Sequence, residues 1–412
     1  MNLSQARQGA TASLFRSANF RRLWLLGGIA NAMRWVEMLA SGLFVFGLTG
    51  SGADVAFVLA IRSLPMLLLG AVAGVLADSI DRKRILFYGM LLSMAAATTI
   101  CTLATIGWAR PWHLAVAAFV SGTVWATEMS VRRRMIAECG GPALISRVIA
   151  LDSITSSLAR MAGPLIGSLA FAAAGLAGAY AITAACYGIG AFLVPGIAHA
   201  QPARPLLLLH IPRELAAGLR YALRQPAIRA VLGVTAAMNM FAFSYTALVA
   251  PIALRGFGVS DAVVGLLPAG EPLGALLGGM ALAVWTPRSN PRILMLAGSA
   301  TFMAALAAMP LMPSFAAACV ILTLGGLGLA VFGNMQTTLV LTSTQAAYRS
   351  RQMGLLTVCI GFSPLGQMLI GLLAEAAGPL LAVTTSALLG LAALAAIAWM
   401  STGGGTMPGD PK

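Results

Sequence analysis

The amino-acid sequence predicts an all-α membrane protein in which twelve transmembrane helices form two six-helix bundles. The first observation is composition, because 59% of the 412 residues are hydrophobic and only 9% are charged, whereas about a quarter of the residues of a soluble protein are charged. The second is that the apolar residues form runs of roughly 18–25 residues, the length that crosses a bilayer as a helix. The third is that one long loop divides these runs into two sets of six.

The first apolar run is predicted to be a transmembrane span and not a signal peptide. It follows a polar and basic N-terminal segment, and at about 25 residues it is too long for the core of a signal peptide, so we expect it to remain as a span. The twelve predicted spans are about 24–48, 55–76, 86–106, 112–130, 148–172, 177–198, 230–251, 262–284, 293–309, 314–340, 353–375 and 379–400.

The long central loop defines the predicted domains. It contains the basic amphipathic stretch HIPRELAAGLRYALRQ, which we expect to lie along the inner membrane surface. The prediction is an N-terminal six-helix domain at 1–198, a cytoplasmic linker at 199–229 and a C-terminal six-helix domain at 230–412. The segments 145–175 and 349–378 both have an Arg near a helix start, a Pro-Leu step and an end rich in small residues. Such similarity between halves is typical of transporters built from parallel repeats.

Lysine and arginine predict the orientation of the spans. Of the 26 such residues, 21 fall before the first span, in alternate loops or at the C-terminus, and only Arg110 and Arg255 fall in the other loops. Because positive residues favour the cytoplasmic side, both termini are predicted to be cytoplasmic. The net charge of +14 does not indicate a nucleic-acid partner, since aromatic residues are not interleaved with the basic ones.

No metal site, cofactor site or enzyme active site is predicted. The five cysteines are scattered through apolar segments without a CxxC pair, and the three histidines fall at segment ends or in loops. The sequence has no Walker-type phosphate loop, so direct use of ATP is not expected. No pairing of His with a carboxylate or with Ser suggests a catalytic set.

The charged residues within the spans converge on one depth. Counting from the cytoplasmic end of each span at about 1.5 Å per residue places four of them about 18–21 Å deep on four different helices: Glu37, Arg62, Arg160 and Glu271. Arg34 lies one turn lower, and Asp152 is lower still. Since a charge that faces lipid is costly, we predict that these residues line a central cavity.

Two interpretations of this cluster are open. In the first, Glu37 pairs with Arg62 or Arg34, and the charges only hold the helices together. In the second, the carboxylates exchange protons while the arginines hold an anionic substrate. Three arginines against two carboxylates near the midplane leave an excess of about one positive charge, which favours an anionic or zwitterionic cargo. Asn239 and Tyr245 are further candidates for the cavity wall, although hydrogen bonding between helices is the simpler role for both.

Two motifs relate the chain to a known family. The loop GVLADSIDRKRIL between the second and third spans resembles the loop motif of the major facilitator superfamily, and the matching residues are Gly74, Asp78, Arg82, Lys83 and Arg84. On the fifth span, LARMAGPLIG resembles the Gly-Pro motif of antiporting exporters, carried here by Gly163, Pro164 and Gly167. The stretches NFRRLWLLGGIANAM and YRSRQMGLL look most like the bacterial branch that exports siderophores and macrolides.

Three features depart from that family pattern. Arg34 stands where the siderophore and macrolide branch often has Asp. The predicted helix at 112–130 lacks the mid-helix Arg that many drug/proton antiporters use for coupling. The equivalent loop in the second half, WTPRSNPRIL, has lost its acidic residue. The coupling mechanism of the family is therefore not carried over with the fold.

The resemblance implies a secondary active transporter that works by alternating access on a small-molecule substrate, and our leading hypothesis is that protons are the coupling ion. We expect a monomeric exporter of an amphipathic or anionic molecule in the bacterial inner membrane. Asp78 would act as a latch that pairs with arginines of its loop or with a helix N-terminus of the other half. Alternatively, the basic residues only keep this loop in the cytoplasm. Two other functions stay open: import or facilitated passage of an organic anion, and a non-transporting membrane receptor or enzyme.

Overall fold

The computed structural model of the chain describes residues 14–198, 211–284, 289–345 and 348–402. Within these ranges, the side chains of 70–79, 140–143, 211–215 and a few single positions are not described. Every regular element in the described ranges is helical, so the predicted all-α class is confirmed. Eleven helical segments of this part of the chain are long and apolar enough to cross a membrane.

The bounds of the main helices follow the chain in order. They are α1 (Ala18–Thr49), α2 (Gly52–Ser79), α3 (Arg82–Thr105), α4 (Pro111–Leu193), α5 (Ile211–Arg224), α6 (Pro226–Ala237), α7 (Leu266–Val284), α8 (Pro291–Ala308), α9 (Phe315–Ser343), α10 (Arg349–Ile360), α11 (Ser363–Ala377) and α12 (Pro379–Thr402). Local chemistry sets several ends. The Ser17 hydroxyl accepts a hydrogen bond from the Phe20 amide at the start of α1. The same helix ends at Gly50, whose φ of 66° suits glycine.

The long segment α4 reverses direction twice and supplies three spans. Arg132 and Asp152 form an ion pair at 2.5 Å, whereas twenty residues of straight helix would separate them by about 30 Å. The second reversal is at Gly175, where φ is 61°. Residues before and after this reversal both lie beside the start of α1. The Trp24 indole donates to the Thr155 hydroxyl, and the Arg22 guanidinium donates to the Gly196 carbonyl.

The second reversal falls where the sequence places the boundary between spans 5 and 6. The segment Arg147–Gly196 is 50 residues long, enough for two crossings at about 1.5 Å per residue. The eleven apolar segments of the described chain therefore provide twelve crossings. They are numbered as spans 1 to 12 below, with spans 4, 5 and 6 in α4.

Span 7 is not the regular helix that the sequence predicts at 230–251. After α6 the chain forms a π turn at Met238–Ala242, a 3₁₀ segment at Phe243–Leu248 and a second π turn at Ile252–Gly256. Span 8 is then α7, preceded by a short 3₁₀ turn at Asp261–Val263. Helical irregularities of this kind often occur at functional sites.

The amphipathic linker helix α5 packs on the second half of the protein. The Gln352 side chain donates to the Gly218 carbonyl at 2.9 Å, and the rings of Tyr221 and Tyr348 stack with centroids 4.4 Å apart. The predicted amphipathic helix is therefore present. It packs on the start of span 11, whereas the sequence predicted only that it would lie along the membrane surface. Residues 199–210 of the linker lie outside the described chain. We call the side of the bundle that carries α5 the linker end.

The two halves meet at the opposite end of the bundle, which we call the far end. A Cβ atom placed on Gly371 of span 11 would lie 2.6 Å from the Cβ of Ala56 on span 2. A Cβ placed on Gly265 before span 8 would collide with the carbonyl oxygen of Pro164 on span 5. The Ser168 hydroxyl of span 5 also donates to the Ala262 carbonyl at 3.1 Å. Small residues thus let spans 2 and 11, and spans 5 and 8, close against each other.

Candidate substrate and coupling site

The interior of the described spans contains as many arginines as carboxylates. The arginines are Arg34, Arg62, Arg132 and Arg160, and the carboxylates are Glu37, Glu128, Asp152 and Glu271. The predicted excess of one positive charge concerns Arg34, Arg62 and Arg160 against Glu37 and Glu271, and for these five residues the count is unchanged. The structure adds Arg132, Glu128 and Asp152 as a neighbouring buried group, and the charges of all eight residues balance.

Glu37 on span 1 pairs with Arg62 on span 2. The Arg62 Nη2 donates to Glu37 Oε2 at 2.7 Å, and the two residues are 2% and 6% exposed. Of the two partners that the sequence left open for Glu37, the structure selects Arg62. This pair lies entirely within the N-terminal half, so it joins helices that belong to the same bundle.

Breaking this pair is expected to destabilise the protein. Glu37→Gln leaves the Arg62 guanidinium buried without a counter-charge, which costs about 3–5 kcal/mol in comparable pairs. We expect a clear fall in the thermal unfolding temperature of the detergent-purified protein, measured by intrinsic fluorescence. The double variant Glu37→Gln/Arg62→Gln serves as the control, since it removes both charges, and should recover most of the loss. Equal melting of wild type and Glu37→Gln would contradict the assigned pairing.

A second buried group joins spans 4 and 5 and was missed by sequence reasoning. Arg132 donates to Glu128 at 2.8 Å and to Asp152 at 2.5 Å, and all three residues are buried. The sequence ended span 4 at 130 and placed Arg132 in a cytoplasmic loop, but the span extends to Cys139. The spacing of Glu128 and Arg132, four residues apart on one helix, was the available signal. Gly27 of span 1 leaves the room that this guanidinium occupies.

The third ion pair crosses between the halves. Arg160 of span 5 donates to one carboxylate oxygen of Glu271 on span 8, and the Tyr245 hydroxyl of span 7 donates to the other at 3.0 Å. Glu271 is 2% exposed, whereas the Arg160 side chain is 32% exposed. The irregular 3₁₀ segment of span 7 carries Tyr245. The partner of Glu271 thus lies in the other half of the protein.

Arg34 stands apart from these pairs. Its Nε and Nη1 atoms are buried and have no hydrogen-bond partner, and its guanidinium carbon lies 4.3 Å from the ring centroid of Trp125. The neighbouring ring of Trp35 has Arg34 at 5.4 Å and Arg160 at 5.6 Å. Cation–π contacts stabilise a guanidinium without neutralising it. Arg34 is therefore the cation of the group that no carboxylate pairs with in the described structure.

The remaining predicted cavity residue and the Gly-Pro motif both have structural roles. The Asn239 side chain donates to the Thr235 carbonyl at 2.9 Å within its own helix, which agrees with a role in helix hydrogen bonding. Gly163 lets span 5 approach Trp35, because a Cβ there would lie 2.5 Å from the Cβ of that residue. Gly167 makes a similar approach to Val36, at 3.1 Å. The motif thus fits span 5 closely against span 1.

The described part of the loop motif binds its own half. Asp81 accepts from the Lys83 amide at 2.9 Å and caps α3, the Lys83 ammonium donates to the Pro195 carbonyl at 2.8 Å, and Arg82 pairs with Glu138 at 2.6 Å. Arg84 lies 3.9 Å from Asp81. Gly74 and Asp78 fall in 70–79, outside the described side chains, so the latch role of Asp78 stays a prediction.

An apolar cavity lies between the halves beside the Arg160–Glu271 pair. Its walls include Trp35, Met38, Val55, Pro164, Ala250 and Pro268. These residues come from spans 1, 2 and 5 of one half and spans 7 and 8 of the other. The described wall contains no charged residue, but Pro164 and Pro268 lie about one helical turn along the chain from Arg160 and Glu271.

Two helical halves around buried ion pairs and a cavity at their interface define a membrane transporter of the major facilitator superfamily. Residues 9–402 match the transmembrane secretion effector family of that superfamily, and the chain belongs to it. The protein is therefore a multi-pass membrane protein, as its composition predicts.

Comparison with known proteins agrees with this assignment. The chain is 28% identical over 299 residues to the enterobactin exporter EntS of Shigella flexneri. The aligned region covers 69% of this chain and 68% of the relative. It is 28% identical over 292 residues to EntS of Escherichia coli O139:H28, with the same coverage of 69% and 68%.

Solved structures show the same fold. The nucleoside transporter NupG superposes with a TM-score of 0.73 at 12% identity, covering 92% of this chain and 98% of that one. A bacterial homologue of the human lysosomal transporter Spinster, in an inward-facing and occupied conformation, superposes with a TM-score of 0.72 at 16% identity, covering 96% and 99%. The predicted fold and the predicted superfamily are confirmed.

Proposed function

We propose that this protein is a secondary active exporter that moves a small amphipathic anion, of the siderophore class or a drug, in exchange for protons across the bacterial inner membrane. The observation that carries the proposal is the Arg160–Glu271 pair, which joins the two halves beside the apolar cavity. An ion pair at this position has to change partners when the halves separate. A carboxylate that loses its arginine binds a proton more readily, so movement of the halves is linked to protonation.

The shape of the bundle supports alternating access. At the far end, Gly265 and Gly371 lie in close contact with the other half, whereas a Cβ on Gly279 or Gly354, nearer the linker end of the same spans, would meet no atom within 4 Å. This contrast favours a state that is sealed at the far end and open toward the linker end. Export then requires the reverse arrangement, in which the far end opens.

The substrate class rests on two supports. The relatives at 28% identity carry the name of enterobactin exporter, and this chain offers an apolar cavity whose wall residue Trp35 has the Arg160 guanidinium 5.6 Å from its ring centroid. An amphipathic anion would place its apolar part against this wall and its charge toward Arg160. We propose that the protein acts as a monomer, because one chain supplies all the residues of this site.

Transport by purified protein tests the proposal directly. The full chain is reconstituted in proteoliposomes, and counterflow of labelled metallophores and drugs is measured with and without a pH gradient. We expect counterflow of at least one metallophore, and net export that depends on the gradient. A folded protein that exchanges none of the panel, or whose net flux ignores the gradient, would contradict the proposal.

A second candidate function, import or facilitated passage of an organic anion, is favoured by the charge balance. Because the four arginines and four carboxylates of the described interior cancel, a bound anion adds one negative charge to a site of low dielectric. A proton that binds with the anion would restore neutrality. The anion and the proton would then cross the membrane together in the same direction. Proton uptake from a weakly buffered solution on substrate binding would favour this alternative, whereas proton release would favour the exporter.

The proposed orientation places both termini and the linker in the cytoplasm. Reporter fusions after residue 412 and within 199–229 are expected to score as cytoplasmic, because positively charged loops are retained on that side. A fusion after Arg110 or Arg255 provides the control and should score as periplasmic. A periplasmic signal from the linker fusion would reverse the orientation.

The proposed latch at Asp78 predicts a defect in turnover without a defect in folding. Asp78→Asn removes a charge near the linker end of α2 and weakens the closed state of that side, so transport should fall several-fold while membrane insertion is unchanged. Asp54→Asn, an exposed position at the far end of the same helix, is the matched control. If both variants transport as wild type at equal expression, the loop motif only sets topology.

A further inference from the structure

One face of the linker helix α5 is covered by span 11, and the opposite face is exposed. Gly218 and Ala222 are buried against the protein, and the Gln352 side chain of span 11 donates to the Gly218 carbonyl at 2.9 Å. Leu219 and Leu223 are 49% and 58% exposed. Because this packing fixes the rotation of the helix, it also fixes which side chains point away from the protein.

The exposed face of α5 carries leucines on one edge and arginines on the other. Leu219 and Leu223 lie one turn apart on the same side of the helix, and Arg220 and Arg224 repeat this spacing about 100° further round. All four side chains are exposed, and we call these four residues the linker face. An apolar row beside a basic row is the arrangement that seats a helix between the acyl chains and the headgroups of a bilayer.

The linker face lies at the level of the membrane boundary. Helix α5 ends at Arg224, and only Gln225 separates it from Pro226, where the apolar segment of span 7 begins. The helix therefore cannot move far from the bilayer surface. A soluble partner protein would have to displace lipid to reach the two leucines, so lipid is the occupant that this position favours.

A second pair of arginines lies at the same end of the C-terminal half. Arg229 is exposed at the start of span 7, and Arg292 lies in the first turn of span 9. The two like charges repel each other, and the buried Nη2 atom of Arg292 has no hydrogen-bond partner. Within the described chain, no carboxylate pairs with either residue or with the arginines of the linker face. A phosphate group beside Arg292 would supply the missing acceptor and reduce the repulsion.

We propose that the linker end of the C-terminal half binds anionic phospholipid of the leaflet at that end. The leucines of the linker face lie among the acyl chains, Arg220 and Arg224 bind headgroup phosphates, and Arg292 with Arg229 holds a phosphate at the start of span 9. Each arginine near an anionic membrane surface contributes a roughly fivefold preference for it. This binding is independent of the transported substrate and of the direction of transport.

Quenching of a fluorophore beside the linker face tests the preference for anionic lipid. Gln225→Cys, at an exposed position between α5 and span 7, is labelled with bimane in the full-length protein without the five native cysteines. The protein is placed in phosphatidylcholine nanodiscs that contain a small share of lipid spin-labelled near the headgroup. Spin-labelled phosphatidylglycerol should quench the bimane several-fold more strongly than spin-labelled phosphatidylcholine at the same share.

Variants assign this preference to particular arginines. Arg220→Gln/Arg224→Gln should remove most of the difference between the two lipids, and Arg292→Gln should reduce it by a smaller factor. Arg16→Gln/Arg84→Gln is the matched control, because it removes two exposed arginines from the linker end of the other half. The control should keep the wild-type difference, since its charges lie away from the fluorophore.

The result that would overturn the proposal is equal quenching by the two lipids in the wild-type background. A difference that survives loss of both arginines of the linker face would also overturn it, as would a difference that the control variant loses. Inorganic phosphate, compared with chloride at the same ionic strength, separates a lipid site from a site for free phosphate. The lipid preference should persist in phosphate, and its loss there would make free phosphate the ligand. Leu219→Gln/Leu223→Gln should weaken quenching by both lipids alike, and unchanged quenching would contradict the seating of the leucines in the acyl layer.

Discussion

Glu271→Gln is expected to abolish proton-driven accumulation of substrate in proteoliposomes while substrate counterflow persists. Glutamine keeps the shape of the protonated acid and still accepts a hydrogen bond from Tyr245, which lies 3.0 Å from the carboxylate. It has no charge to hold Arg160 and no proton to exchange. Net transport against a gradient should therefore fall to the level of liposomes without protein, because binding and movement of the halves are no longer tied to protonation.

A double variant separates coupling from simple pairing. Arg160→Gln/Glu271→Gln removes both charges of the pair and should remain uncoupled if Glu271 carries the proton. If the pair only holds the halves together, the double variant should regain coupled transport, since no unpaired charge is left. Asp54→Asn, at an exposed carboxylate near the start of span 2, is the control for the loss of a negative charge. Substrate-induced proton movement in Glu271→Gln at the wild-type rate would remove Glu271 as the coupling site.

Gly265→Leu is expected to hold the far end of the transporter open and to stop turnover. A side chain at this position collides with the backbone of Pro164 across the interface between the halves. Overpacking of this kind costs about 1–3 kcal/mol, which shifts an equilibrium between two states by roughly 5–150-fold. The shift favours the outward-open state. Thiol labelling of Ala250→Cys, a buried wall residue of the central cavity, should then become faster from the far side of the membrane.

Gly47→Leu is the matched control for this variant. It lies at an exposed position at the far end of span 1, and a Cβ at this position meets no atom within 4 Å, so the same substitution should leave both transport and labelling near wild type. The labelling is done in a background without the five native cysteines. If Gly265→Leu transports normally, the far-end contact is not part of the transport cycle. If Gly47→Leu is equally defective, the effect of leucine is general and is not specific to the contact between the halves.

Several features of the site follow from the sequence because they depend on local composition. Charges within apolar runs must avoid lipid, and this constraint alone predicts that Glu37, Arg62, Arg160 and Glu271 lie together. The sequence predicts that span 4 ends at residue 130, because a cluster of arginines usually lies in a cytoplasmic loop. In the structure the span extends to Cys139. Arg132 is nevertheless buried, since Glu128 and Asp152 offset its desolvation. A hydropathy pattern does not contain that information.

Hydrophobic length and the cost of buried charge act along short stretches of chain, so the amino-acid sequence alone predicts the class of protein and the approximate positions of its spans. Which of the buried charges pair depends on how the helices pack in three dimensions. Glu37 binds an arginine 25 residues away and Arg160 binds a carboxylate 111 residues away, so helix packing, not helix spacing, selects the partners. Arg34 lies one turn from Glu37 and still remains unpaired. The physical reason is that a short ion pair needs both side chains to face the same space, and that is settled only when helices distant in sequence are packed together.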